Sequence, residues 1–167
     1  MLPSERREFV RTHRTCVFGY GRRHDGPAMS VVYYMPTSDD ELLVSTMAGR
    51  GRVRAPERDP KVSLCVLDER WPFTYLQVYA DAVVDRDPNL VVNVMMAVGG
   101  RMSGEPLTDD ARPVVEAMDD QEGRVVVRCR PDATFAQALA TFTAMTKEER
   151  SPHWVSSTVG WDVPDPT

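Results

Sequence analysis

Three arginines at alternate positions, Arg50, Arg52 and Arg54, follow two hydroxyls, Ser45 and Thr46, in the run STMAGRGRVR, with Gly49 and Gly51 between them. A guanidinium fork matches two phosphate oxygens at once. Hydroxyls and backbone N–H groups freed by glycine complete an anion cradle. In a chain of net charge -5, so local a positive run is a candidate phosphate site. The same residues also read as a solvated basic helix start, with Arg50 and Arg54 at i, i+4. Residue types alone leave both readings open.

Other chemistry has weaker support. His13, His24 and His153 have no ligand-like spacing and no partner cysteines, so no metal site is expected. Gly19-Tyr20-Gly21 lies between strand-like runs with no helix following, which fails the context a dinucleotide fingerprint needs. No serine sits in a Gly-x-Ser-x-Gly elbow. The cluster Trp71-Pro72-Phe73-Thr74-Tyr75 could stack on a planar ring or pack as an aromatic corner. Cys16, Cys65 and Cys129 are odd in number, far apart and set in apolar runs, which reads as buried reduced thiols in the cytoplasm.

These residues need elements to place them. At 167 residues the chain suits one domain, residues 1–167. Its net negative charge argues against nucleic-acid binding. No apolar run approaches the ~18 residues of a membrane span, and the opening MLPSERREFVRTHR lacks the apolar core of a secretory signal. A first helix is expected over Glu5 to His13, capped by Ser4, with Phe9 and Val10 inward. Strands follow at Thr15 to Gly21 and Ala28 to Met35, joined by a tight His24-Asp25-Gly26 turn, and then at Glu41 to Thr46. In KVSLCVL, Val62, Leu64 and Val66 share one face; in the strand Thr74 to Val84, Leu76, Val78, Ala80 and Ala82 do.

The period then changes. Asp87-Pro88 opens a helix with Val91, Val94, Met95 and Val98 on one side, stopped at Gly99-Gly100. A second helix begins near Thr108, with Ala111, Val114, Val115 and Met118 as its stripe. RVVVRCR, Arg124 to Arg130, is a strand with arginines on its outer face, and Thr134 caps a third helix carrying Phe135, Leu139 and Phe142. Strands joined by turns point to an antiparallel meander or barrel, mainly β with added helices.

The run LLVSTMAGRGRVRAPERDPKVSLCVLDERWPFTYLQVYADA resembles the centre of the split β-barrel flavin and deazaflavin oxidoreductases, the pyridoxamine 5'-phosphate oxidase-like group. Its F420-dependent actinobacterial members read S-T-x-x-G-R-x-K-x-R-N-L-x-R-D-P-x-V-S-L, and Arg-Asp-Pro-x-Val-Ser-Leu is the most specific piece shared. The resemblance implies a six-stranded antiparallel split β-barrel. It implies a homodimer with cofactor sites at the interface, F420 as cofactor with FMN as the alternative, and hydride transfer to a small unsaturated or conjugated substrate. A non-catalytic cofactor- or haem-binding module is the other class it leaves open. By position, Ser45, Thr46, Arg50, Arg52 and Arg54 would hold the cofactor phosphate. Ser30, Val32 and Tyr33 would border the ring, and Phe73 and Tyr75 would approach from the second subunit. Gly51, Ala55 and Pro56 replace the family's Arg, Asn and Leu, which loosens the turn. Residues 132–167 read as a divergent C-terminal extension.

Overall fold

The structure is a computed structural model that describes residues 1–68, 70, 74–138 and 157–166. Helix α1 spans Pro3–Thr12. Proline at the first helical position has no N–H to leave unpaired. The cap is not Ser4: the Leu2 N–H donates to Glu5 Oε2 at 2.6 Å. Ser4 instead donates from its N–H and Oγ to Asp165, at 2.9 and 2.5 Å, tying α1 to the end of the chain. Val10 points inward as expected, but its fully buried companion is Arg6 rather than Phe9. Arg6 Nη1 donates to both O and Oγ1 of Thr134, each at 3.0 Å.

Eight strands form one antiparallel sheet: β1 Thr15–Tyr20, β2 Ala28–Tyr33, β3 Met35–Pro36, β4 Leu42–Met47, β5 Lys61–Asp68, β6 Thr74–Asp85, β7 Arg124–Ala138 and β8 Ser157–Gly160. Their order is β2-β1-β5-β6-β7-β4-β3, with β8 also on β7. The six expected strands are all present, and the short β3 and β8 are additions. Alternation decides the inner face. Phe18, Val62, Leu64, Val66, Leu76, Val78, Ala80 and Ala82 meet in one core with Tyr34, Val44 and Val127. Tyr34 Oη donates to the Val10 carbonyl at 2.6 Å, so the helix is fixed to the barrel by a buried bond as well as by packing.

Four expectations need correction. Residues 21–27 join β1 to β2 as a wide loop, and neither Asp25 nor Gly26 takes a positive φ. Helix α3, Pro88–Ser103, runs through Gly99-Gly100 and ends at Gly104 in the left-handed region. Gly100 serves packing instead: a Cβ there would lie 3.1 Å from Glu105 O and Pro106 Cα. The helical run does begin at Thr108, which caps a 3-10 turn over Asp109–Ala111 leading into α4, Arg112–Glu122, but its stripe differs: Val115 is buried while Val114 and Met118 are exposed.

The largest difference is β7, which continues to Ala138 where a helix was expected to start at Thr134. The long β6 offers a full-length partner, and β8 covers the other edge of the second half. A bulge between Tyr79 and Ala80 leaves Asp132 unopposed and seats Pro131 where a ladder N–H is least needed. Phe135 is therefore a strand residue; Leu139 and Phe142 lie outside the described residues. Helix α3 rests on the opposite face of β4 and β7, where Val91 and Val94 pack on Leu43 and Val126.

Candidate functional site

The arginine-rich run leaves β4 at Met47 and turns into α2, one turn of helix over Gly51–Arg54. Three contacts fix it. The Ala48 N–H donates to Gly123 O at 3.0 Å, Val53 is buried in the barrel core, and Ala55 and Pro56 are buried behind it. Gly51 has a steric reason, because a Cβ there would lie 2.5 Å from Tyr20 Oη. The residues that depart from the family pattern therefore pack the turn down rather than loosen it.

The turn separates its arginines. Arg50 and Arg54 are exposed, while Arg52 is half-buried. Among the described residues, the side chains of Arg52 and Arg54 have no hydrogen bond or ion pair, and that of Arg50 reaches only Met47 Sδ, at 3.6 Å. Burial pulls the Arg52 pKa down; the nearby Tyr20 opposes that and Arg50 adds to it. It is a half-buried cation with no carboxylate partner among the described residues.

Strand alternation also splits the two hydroxyls. Ser45 is half-buried on the outer face of β4 and accepts from Arg124 Nη1 at 3.4 Å. Thr46 faces the barrel interior and is 5% exposed. Ser45 and Arg52 open into a cavity of about 370 Å³, walled by Val31, Val32 and Tyr33 of β2 and by Arg124 of β7. The far wall is the α3–α4 pair, with Met95, Val98 and Met102 from α3, Leu107 from the connection, and Val115 and Met118 from α4. Two cations and the Ser45 and Tyr33 hydroxyls stand in an otherwise apolar lining, the usual make-up of a small-molecule pocket in this size range.

Four of the sequence-derived residues thus meet in one cavity: Val32, Tyr33, Ser45 and Arg52. Ser30 is nearby in sequence but does not line it; its Oγ is buried and has no hydrogen-bond partner. Tyr75 lies on β6, its ring centroid 6.3 Å from that of Phe135, and does not line the cavity. Phe73 lies outside the described residues. Arg124 and the methionine wall were missed. The outward arginines of β7 were visible in the sequence, but nothing there singled out Arg124 from Arg128 and Arg130.

Elsewhere the chemistry is quiet. His13 stacks on Phe9 with ring centroids 4.0 Å apart, and its Nδ1 lies 2.7 Å from the Phe9 carbonyl oxygen. His24 is exposed, and His153 lies outside the described residues. Burial pushes the Cys16 thiol up to about 12 and raises those of Cys65 and Cys129, so none is a ready thiolate. No group of His, Cys, Asp or Glu among the described residues could hold a metal ion. No helix among them is long and apolar enough to cross a membrane. The C-terminal segment packs on α1 and β7, with Trp161 buried, and none of its described residues lines the cavity.

A family model described as pyridoxamine 5'-phosphate oxidase matches residues 2–138. Among solved structures, a conserved hypothetical protein from Mycobacterium tuberculosis is similar at a TM-score of 0.72 and 22% identity, over 89% of this chain and 94% of that one. A protein titled F420 reductase is similar at 0.57 and 20%, over 76% and 93%. The haem storage protein of Vibrio cholerae is similar at 0.56 and 18%, over 79% and 91%. At these identities the likeness is one of fold. No curated protein matches the chain.

Proposed function

The chain belongs to the pyridoxamine 5'-phosphate oxidase family, and from that premise we propose that it is an F420-dependent oxidoreductase acting on a small unsaturated or conjugated organic substrate. The observation that carries this reading is the cavity itself, cationic at Arg52 and Arg124, mostly apolar elsewhere, and lined by no carboxylate among the described residues. Such a site suits a planar body that carries a phosphate.

The reduced cofactor supplies the hydride when bound. This chain's part is to bind, orient and exclude water. Ser45 and Arg52 hold the phosphate at the cationic end, with Arg50 and Arg54 adding positive potential at the rim. Val32 and Tyr33 border the ring on one side, and Met95, Met102 and Met118 keep the other side dry. Ser30 Oγ, buried and unbonded, is a polar atom that a ligand group could satisfy. No histidine, cysteine or carboxylate lines the cavity among the described residues, so the proton that completes the reduction comes from the Tyr33 phenol or from water.

A second copy completes the site in this proposal. The outer face of β1 and β2 is apolar, with Met29 70% and Val31 72% exposed beside the cavity, and Tyr79 of β6 is also exposed. A homodimer would cover that face and bring in Phe73 and Tyr75 of the second subunit. Three unpaired cysteines suit the cytoplasm.

Equilibrium titrations of F420 and FMN, followed by absorbance, test the proposal. F420 should bind more tightly. Tighter FMN binding would transfer the site to a flavin enzyme, and binding of neither would overturn the reading. The haem storage neighbour suggests a non-catalytic module instead, yet no described histidine lines the cavity to act as an axial ligand. Turnover of a general acceptor by reduced F420 separates enzyme from carrier.

A further inference from the structure

We infer that Arg124, at the start of β7, is the second cation of the phosphate site, held ready for its ligand by Glu122. The inference rests on the phosphate reading of the cavity. Arg124 and Arg52 come from different elements, are 72 positions apart in the chain, and line the same cavity with Ser45 between β4 and the helices. The Arg124 side chain is 23% exposed, so its charge is largely withdrawn from water.

Its surroundings fix its aim. The backbone N–H of Arg124 donates to Asp119 Oδ1 at 3.0 Å, which locks the first residue of β7 to the end of α4. Gly123 makes the turn between them at φ 58°, a conformation costly for other residues. The side-chain Nε donates to the Glu122 carboxylate, and Nη1 reaches Ser45 Oγ. Glu122 does not line the cavity, whereas Arg124 and Ser45 do. Nη2 makes no bond among the described residues, so the guanidinium keeps donors for a ligand.

A phosphate carried by an apolar body fits this pair. Two guanidiniums and a hydroxyl from three elements give a phosphate several donors and fix its orientation, whether it is a monoester as in FMN, at about -1.5 to -2, or a singly charged diester as in F420. Arg124 carries its own partner in Glu122, while Arg52 has no carboxylate partner among the described residues, so an anion in the cavity would add charge balance chiefly at Arg52.

The test uses the full chain with Arg124→Ala and Arg124→Gln. The probes are F420, FMN, riboflavin (the flavin without its phosphate) and inorganic phosphate. In both variants the affinity for F420 and FMN should fall about tenfold or more, riboflavin affinity should hold, and the ligand-free melting temperature should stay near wild type. Inorganic phosphate should raise the melting temperature of the wild type and not of the variants. Equal loss of FMN and riboflavin, or unchanged binding of F420 and FMN, would overturn the role. So would phosphate stabilising wild type and variants alike, or stabilising neither. If the wild type binds neither F420 nor FMN but phosphate still stabilises it through Arg124, the proposed cofactor fails and Arg124 stands. Arg124→Gln keeps a donor for Ser45 without the charge, and so serves if the alanine variant does not fold.

Discussion

Two groups of arginines in this molecule share a chemistry and differ in company. On β7, Arg128 lies 2.6 Å from Glu41 Oε2 and 3.2 Å from Asp85 Oδ2, and Arg130 lies 3.5 Å from Glu41 Oε1. Those carboxylates hold the Arg128 pKa up, the Glu41 bond foremost. On the α2 turn Arg52 has no carboxylate among the described residues, and burial pulls its pKa the other way. The first group is a neutralised surface network. The second is a set of cations held in place by packing at Val53, Ala55 and Pro56, with the charge left over. Residue type and alternate spacing are alike in both; what separates them is whether the chain supplies a carboxylate partner.

The comparison can be broken in several ways, and the largest effect comes from a third kind of arginine. Arg6 is 3% exposed and donates to Thr134 and to Met1 O. Arg6→Ala should lose roughly 3 kcal/mol of stability in a urea melt, since buried carbonyl and hydroxyl oxygens lose a charged donor. Cofactor affinity measured on the folded fraction should hold.

Arg52→Ala should do the reverse. F420 affinity should weaken by about 1–3 kcal/mol, roughly tenfold to a hundredfold, while the melt stays at or slightly above wild type because no protein bond is lost. A lower melting temperature with unchanged titration would make Arg52 a structural residue and dissolve the contrast.

Arg128→Ala should sharpen it with a smaller effect, about 1 kcal/mol or less once solvent screening of a 42% exposed side chain is allowed for, and no change in binding. Its pH dependence has a definite sign. The Asp85 carboxylate is held below its usual range, first by the Asp87 N–H and then by Arg128. A lowered folded pKa gives stability that is complete above the unfolded value of about 4 and is lost as pH falls through the folded value. Urea melts at pH 7 and pH 3 should therefore show the gap between wild type and Arg128→Ala closing in acid. The Asp87 part of the Asp85 effect should persist in both.

The smallest expected change is for Arg54→Ala. Exposed and outside the cavity, it should alter F420 affinity by about 0.5 kcal/mol at low ionic strength, and by less as salt screens it. A salt-independent loss as large as that of Arg52 would place Arg54 in the site.

Much of the frame was legible in the residues. The two-residue period of KVSLCVL and of the strand after it placed Val62, Leu64, Val66, Leu76 and Val78 in the core, because strand alternation is a local property of the backbone. The same period could have separated Ser45 from Thr46, which stand on opposite faces of β4. Gly100 misled because glycine is ambiguous in sequence: it ends helices, and it also admits another segment closely, as it does for Glu105 and Pro106. β7 misled because a capping threonine and a helical spacing of aromatics are weak local signals. A twelve-residue β6 beside it outweighed them.

By itself, then, the sequence determined the six main strands, which of their residues face the core, and a cationic turn at the exit of β4. Tertiary structure decided which charges that turn and the strands beside it meet. Arg124 meets Ser45 across 79 positions, and Arg128 meets Glu41 across 87. Periodicity reports which way a side chain points. It is silent on which distant charge will be there to meet it: Arg128 is balanced by Glu41 and Asp85, and Arg52 meets no carboxylate among the described residues.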